Sequence, residues 1–159
     1  MTRGWYRQNC RVQYRDTDQM GVVHHGNYVA WFEVGRTEWM RHRGLDYHRL
    51  EARGLFLPLV DVYVRYLKPA RFDECVAIFT RLASFSAVRF VFSYEIRGIS
   101  EAAYEADARG ADVRAPSGTR LAEGSTTHVC VDAGWNAVRL DRVAPDIYAL
   151  ASERCPPDS

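Results

Sequence analysis

Over residues 28–40 the apolar side chains recur with the period of an α-helix. Tyr28, Phe32, Gly35 and Trp39 fall at i, i+4, i+7 and i+11, and Trp31 and Val34 widen that stripe. Glu33, Thr37 and Arg41 form a polar stripe, with Arg36 and Arg43 nearby. The pattern predicts a helix over 27–43, with Asn27 as its N-cap and Gly44 just past its end. Such a helix is roughly 25 Å long, enough to lie across a broad sheet. Gly35 in the middle of the stripe weakens the helix, which predicts close backbone approach at that point.

Much of the rest has a period of two. Cys10, Val12 and Tyr14 alternate with Arg11 and Gln13, a short strand over 7–14. Val60, Val62, Val64 and Tyr66 alternate with Asp61, Tyr63 and Arg65 until Pro69 stops the run. Val76, Ile78, Thr80 and Leu82 form the next strand, and Val88, Phe90, Phe92, Tyr94 and Ile96 the clearest one. These three read as an antiparallel meander, and a last strand is predicted over 120–132. Short helices are predicted over 46–53, ended by Gly54, and over 145–153. Residues 98–119 break the pattern and read as an insertion between the last two strands, and 154–159 as a frayed tail. One strand, a long helix and four strands predict a single α+β domain over 1–159, with one antiparallel sheet wrapped around one helix.

Composition adds boundaries. Hydrophobic residues are 47% and aromatics 13%, enough for a core, and the net charge of +1 argues against nucleic acid or a membrane surface as main partner. No apolar run approaches the roughly 20 residues of a membrane span, and 1–7 do not read as a signal peptide. The four cysteines, Cys10, Cys75, Cys130 and Cys155, contain no Cys-x-x-Cys pair, which argues against a disulfide framework or zinc site and fits the reducing cytoplasm.

The candidate chemistry gathers just before the long helix. Asp18 lies in a polar turn that Asp16 and Asp18 could equally serve to stabilise. Yet Tyr14, Asp18 and His25 flank a helix start, where unpaired N–H groups carry partial positive charge. A carboxylate beside such donors suits attack on an acyl carbonyl with stabilisation of the resulting oxyanion. The donors would come from His25, Gly26 and Asn27. His24 faces away from His25 if this stretch is extended. A metal bound by Asp16, Asp18, His24 and His25 is disfavoured, because no second ligand cluster exists in the sequence. There is no Gly-x-Ser-x-Gly elbow or Gly-rich phosphate loop, and Cys130 with His128 reads as a buried pair on one strand.

The run Tyr14-Arg-Asp-Thr-Asp18-Gln-Met-Gly-Val-Val-His-His25-Gly-Asn27-Tyr28, followed by Glu33-Val-Gly-Arg36-Thr-Glu38, resembles the signature of hotdog-fold acyl-CoA thioesterases. The nearest group is the 4-hydroxybenzoyl-CoA thioesterase family, especially its Tol-Pal-associated branch. The likeness spans about 7–97, resumes over 122–132 and is poor over 98–119. It implies a five-stranded sheet around the helix, a homodimer paired through its sheets with sites at the interface, and often a dimer-of-dimers tetramer. It places the catalytic carboxylate at Asp18, an oxyanion-binding backbone N–H at His25, and site side chains at His25 and Tyr14.

The expected reaction is hydrolysis of an acyl-CoA thioester, with Asp18 as nucleophile or as base towards water, and with no metal or redox cofactor. Lys68, the single lysine among 21 basic residues, and Arg71 are candidates for the CoA phosphates by their place at a strand end. Two alternatives keep the fold. One is a thioesterase acting on an acyl carrier protein, with the 98–119 insertion as docking surface. The other is an acyl-CoA-binding module without turnover, which would not need Asp18 beside a helix start.

Overall fold

The computed structural model describes residues 4–106 and 110–155. Its strands are β1 (Trp5–Arg11), β2 (Leu59–Tyr66), β3 (Cys75–Phe85), β4 (Arg89–Ile99), β5 (Ala111–Val113) and β6 (Thr119–Val129). They form one antiparallel sheet in the order β2-β6-β4-β3-β1-β5, with helix α1 (Gly26–His42) across its inner face. This is the expected hotdog arrangement.

The helix meets the sheet through the predicted stripe. Tyr28, Trp31, Phe32, Gly35, Trp39 and Met40 are buried, and each large apolar side chain so removed from water contributes about 1.5–3 kcal/mol. Phe32 stacks on Tyr94 with ring centroids 4.3 Å apart, and Trp39 sets its ring edge-on to Phe92. Val34 does not join them and stays exposed, because it is about 100° of helix rotation from Gly35. Gly35 lies against β3, where an added Cβ would run into Ile78 and the Thr80 hydroxyl. Arg36, expected near the polar stripe, is tied inward: its Nε donates to the Tyr47 hydroxyl at 3.0 Å and its Nη1 to that of Tyr94 at 3.2 Å.

Strand order departs from a simple meander. β3, β4 and β6 are successive neighbours, but β2 pairs with β6 and never with β3. Residues 67–74 cross the end of the sheet instead. Their backbone is stitched by Leu67 N–H to the Leu121 carbonyl (2.8 Å), Val23 N–H to the Ala70 carbonyl (2.9 Å) and Asp73 N–H to the Val12 carbonyl (3.0 Å). The last strand ends at Val129 rather than 132, since Val131 turns away to bridge Phe56 and Ala137.

Among the described residues the sheet has six strands, not five. The sixth, β5, falls within 98–119, pairs with β1, and is preceded by helix α3 (Glu101–Ala106). The α3 carbonyls of Ala103 and Tyr104 accept from Arg7 and Asn9 at 3.0 Å each, and Arg11 grips Glu101 with two 2.7 Å hydrogen bonds. The stretch is therefore spent on the protein's own sheet. Beyond the far end of α1, α2 (Tyr47–Ala52), α4 (Leu140–Val143) and α5 (Pro145–Arg154) pack around Met40, Leu50, Phe90 and Ile147. Of the tail expected to fray, residue 154 ends α5 and Cys155 is fully buried, while 156–159 lie outside the described residues.

Candidate active site

Two local structures bring the predicted residues together. The first is the turn between Thr17 and Val23, which bridge each other. Asp18 N–H donates to the Val22 carbonyl at 2.9 Å, and Gly21 N–H returns to the Asp18 carbonyl at 3.0 Å. Gly21 adopts φ 77°, a left-handed conformation that suits glycine. The Asp18 Oδ1 accepts from Met20 N–H at 2.9 Å, which fixes the carboxylate. Asp18 thus makes the turn as well as offering its charge. Asp16 is more fully committed: its carboxylate accepts from Gln13 N–H at 2.8 Å.

The second is the start of α1. The N-cap residue is His25, not Asn27, and its backbone is already helical at φ −54°, ψ −34°. The Asn27 side chain donates to the Asp16 carbonyl at 2.7 Å, holding the turn against the helix. His24 caps in its place: its Nδ1 accepts from Gly26 N–H at 3.0 Å. Because the stretch is not extended, His24 does not face away, and its ring lies tilted by 31° against that of His25 with centroids 4.1 Å apart.

These bonds sort the expected oxyanion donors. Gly26 N–H is taken by His24 Nδ1, and Asn27 N–H by the His24 carbonyl at 2.9 Å. His25 N–H has no acceptor among the described residues. It shares a peptide unit with the His24 carbonyl, and in a planar trans peptide the two point opposite ways. With that carbonyl bonded towards the helix, the His25 N–H points outward.

Asp18 and His25 line one pocket of about 270 Å³, with Met20, Val22, Tyr28, Tyr66 and Lys68. Sequence reasoning missed Tyr66 and took Tyr28 only as core. The Tyr66 hydroxyl donates to the His25 carbonyl at 2.8 Å, and its ring meets Tyr28 edge-on at 5.1 Å. Burial pushes both phenols above their ordinary pKa of 10.0, so they stay neutral donors. Nothing in a strand-ending tyrosine announces that the strand's end meets a helix's start 41 residues away.

Two predicted residues lie apart. Tyr14 is 78% exposed, does not line the pocket, and packs edge-on against Phe72 at 5.7 Å. Lys68 lines both the pocket and an adjoining groove of about 640 Å³, whereas Arg71 lines only the groove. Neither makes an ion pair among the described residues. His128 and Cys130 are both buried, and the His128 ring is engaged by the Leu57 carbonyl (3.0 Å) and the Thr126 hydroxyl (2.9 Å) rather than by the thiol. No helix among the described residues is long and apolar enough to cross a membrane.

A family model for the thioesterase-like superfamily matches residues 12–150, from just before the Asp18 turn into α5. The chain belongs to the thioesterase-like superfamily. This thioesterase is 28% identical over 141 residues to the putative acyl-CoA thioesterase YneP of Bacillus subtilis, covering 88% of this chain and 90% of that protein. It is 37% identical over 91 residues to the acyl-CoA thioester hydrolase YbgC of Escherichia coli O6:H1, covering 57% of this chain and 68% of that one. Among solved structures, the DHNA-CoA thioesterase of Staphylococcus aureus matches with a TM-score of 0.79 at 31% identity, over 94% of this chain and 89% of its own. A hypothetical protein from Thermus thermophilus matches with a TM-score of 0.75 at 37% identity, over 92% and 97%. The protein is a hotdog-fold thioester hydrolase.

Proposed function

We propose that this thioesterase hydrolyses acyl-CoA to a free acid and CoA at the pocket between the Asp18 turn and the start of α1. The observation that carries the reading is the convergence, in one pocket, of the Asp18 carboxylate and an outward His25 N–H without an acceptor among the described residues. As base, Asp18 takes a proton from water as the water oxygen attacks the carbonyl carbon. As nucleophile, it forms an acyl anhydride that water then cleaves. On either route the His25 N–H and the positive end of α1 stabilise the oxyanion, and its collapse expels the CoA thiolate. Tyr66, holding the His25 carbonyl, keeps the donor aimed. No metal or redox cofactor enters this scheme.

Lys68 and, further along the groove, Arg71 supply positive charge for the CoA phosphates. Tyr14 enters only as an exposed ring beside Phe72, a surface for the substrate or a second copy. A homodimer fits the same picture, because Tyr66 and Leu67 of the pocket wall continue from the exposed outer strand β2. The ester of CoA is favoured over that of a carrier protein, since the described part of 98–119, the docking surface in that alternative, packs on the protein's own sheet.

Thiol release from a panel of short, long and aromatic acyl-CoAs tests the reading. Asp18→Asn is expected to fold normally and lose on the order of 100-fold or more in kcat. Equal rates in both proteins would remove Asp18 from the mechanism, and no turnover by the wild type on any CoA ester would move the substrate to a carrier protein.

A further inference from the structure

The outer face of the sheet, away from α1, carries a second concave site. Register places Arg81, Ser93, Ser125 and Tyr63 in one row across β3, β4, β6 and β2. Of the residues next to them along their strands, Thr80 and Tyr94 are buried on the inner face and Gly124 lies against Phe32 of α1, so this row faces outward. The four residues line a groove of about 540 Å³, a size common for small-molecule sites.

The charges of this groove are unequally matched. Glu95 is bonded by Arg97 at 2.7 Å and lies 3.7 Å from Arg120, and Glu123 is held by Arg120. Arg81 has no acidic partner among the described residues. Its guanidinium stacks over the Trp5 ring at 4.5 Å, and its Nε is buried without a hydrogen-bond partner among the described residues. Trp5 is itself 8% exposed, wedged with Phe79 and Ala77, so the platform is rigid. A stacked guanidinium with a spare buried donor is pre-organised for a planar or tetrahedral oxyanion. Ser93 stands beside it on the next strand, and the Ser125 and Tyr63 hydroxyls extend the row.

We propose that this row is a binding site for a small molecule carrying a phosphate or carboxylate group, separate from the thioester pocket on the other face of the sheet. The group would sit on Arg81 and Ser93, with the body of the ligand along Ser125 and Tyr63. Nothing in the proposal depends on the reaction assigned to Asp18.

The test is a titration of the full chain with inorganic phosphate and with acetate, at ionic strength held constant with chloride so that screening does not change. Thermal midpoint and tryptophan emission, to which Trp5 contributes beside Trp31, Trp39 and Trp135, are the readouts. A saturable response to either anion in the wild type is expected, with apparent Kd raised about tenfold or more in Arg81→Gln and more modestly in Ser93→Ala. Arg142→Gln, an exposed arginine of α4 that lines neither site, should leave it unchanged, and far-ultraviolet dichroism establishes that the variants fold. No saturation with either anion, or equal saturation in Arg81→Gln, would overturn the site. So would an Arg81→Gln change confined to sedimentation, which would make the row a contact between copies.

Discussion

At the scale of single residues, two buried positions make opposite demands. Gly35 lets α1 touch β3, and an alanine there would gain about 1 kcal/mol of helix propensity. Its Cβ, however, would meet the side chains of Ile78 and Thr80, both fully buried on a strand packed on both faces. Overpacking of that kind costs about 1–3 kcal/mol, and with so little room to yield the upper end applies. Gly35→Ala is expected to lose about 2 kcal/mol, a fall of roughly 4–8 °C in Tm for a chain of this size. A Tm at or above wild type would show that the helix can lift without penalty. His128 is the second case. Burial first, and the nearby Arg36 guanidinium second, lower its pKa from 6.5 to about 4. The folded state therefore binds fewer protons than the unfolded one between these values. The contribution is fully present above pH 6.5 and is lost as pH falls towards 4, up to about 3 kcal/mol in all. Urea unfolding from pH 7 to pH 4.5 should show wild type losing more stability than His128→Gln. Parallel losses would mean that His128 is not the titrating group.

At the scale of elements, legibility followed the range of the interaction. Helix α1 could be read to within a residue at each end, because its stripe and Gly44 act over a few residues. The β4 alternation of Phe90, Phe92, Tyr94 and Ile96 was equally plain, since each inward position is buried, Phe92 and Tyr94 directly against Trp39 and Phe32 of α1. Asp46, which caps α2 by accepting from Arg49 N–H at 3.0 Å, was also within reach of local rules. What failed was non-local or competitive. The path of 67–74 across the sheet end depends on carbonyls of Val12, Ala70 and Leu121 that only the folded chain assembles. β5 is three residues long and exists as a strand because the β1 edge accepts it. At the site, the Asp18 turn and helix start were legible, but not which N–H remains open. His24 Nδ1 and Asn27 compete for the same few donors and acceptors, and the winner is set by the helical backbone at His25.

At the scale of the whole molecule, β2 is an edge strand with its residues exposed apart from a half-buried Val64. It shows Leu59, Val60, Val62, Tyr63 and Tyr66 to solvent along an unpaired row of backbone donors and acceptors. A long, apolar, uncovered edge invites pairing with another chain, and the opposite edge shows no such feature because the short β5 covers it. The pairing proposed for two copies would bury this strand in an isologous interface, of which about 1,600 Å² in total is typical. Tyr66 and Leu67 tie that interface to catalysis, as both line the pocket that holds Asp18 and His25. A charge at Val62 would be left unpaired between the copies. Val62→Asp is therefore expected to sediment as a monomer at concentrations where wild type is a dimer or larger. It should also lose most of its thioesterase activity, although Asp18 is untouched. Adding protein should restore activity and the dimer together, with the same concentration midpoint. A wild type that is monomeric at tens of micromolar (a range where interfaces of this size persist) and yet fully active would sink the coupling and leave each pocket complete within one chain.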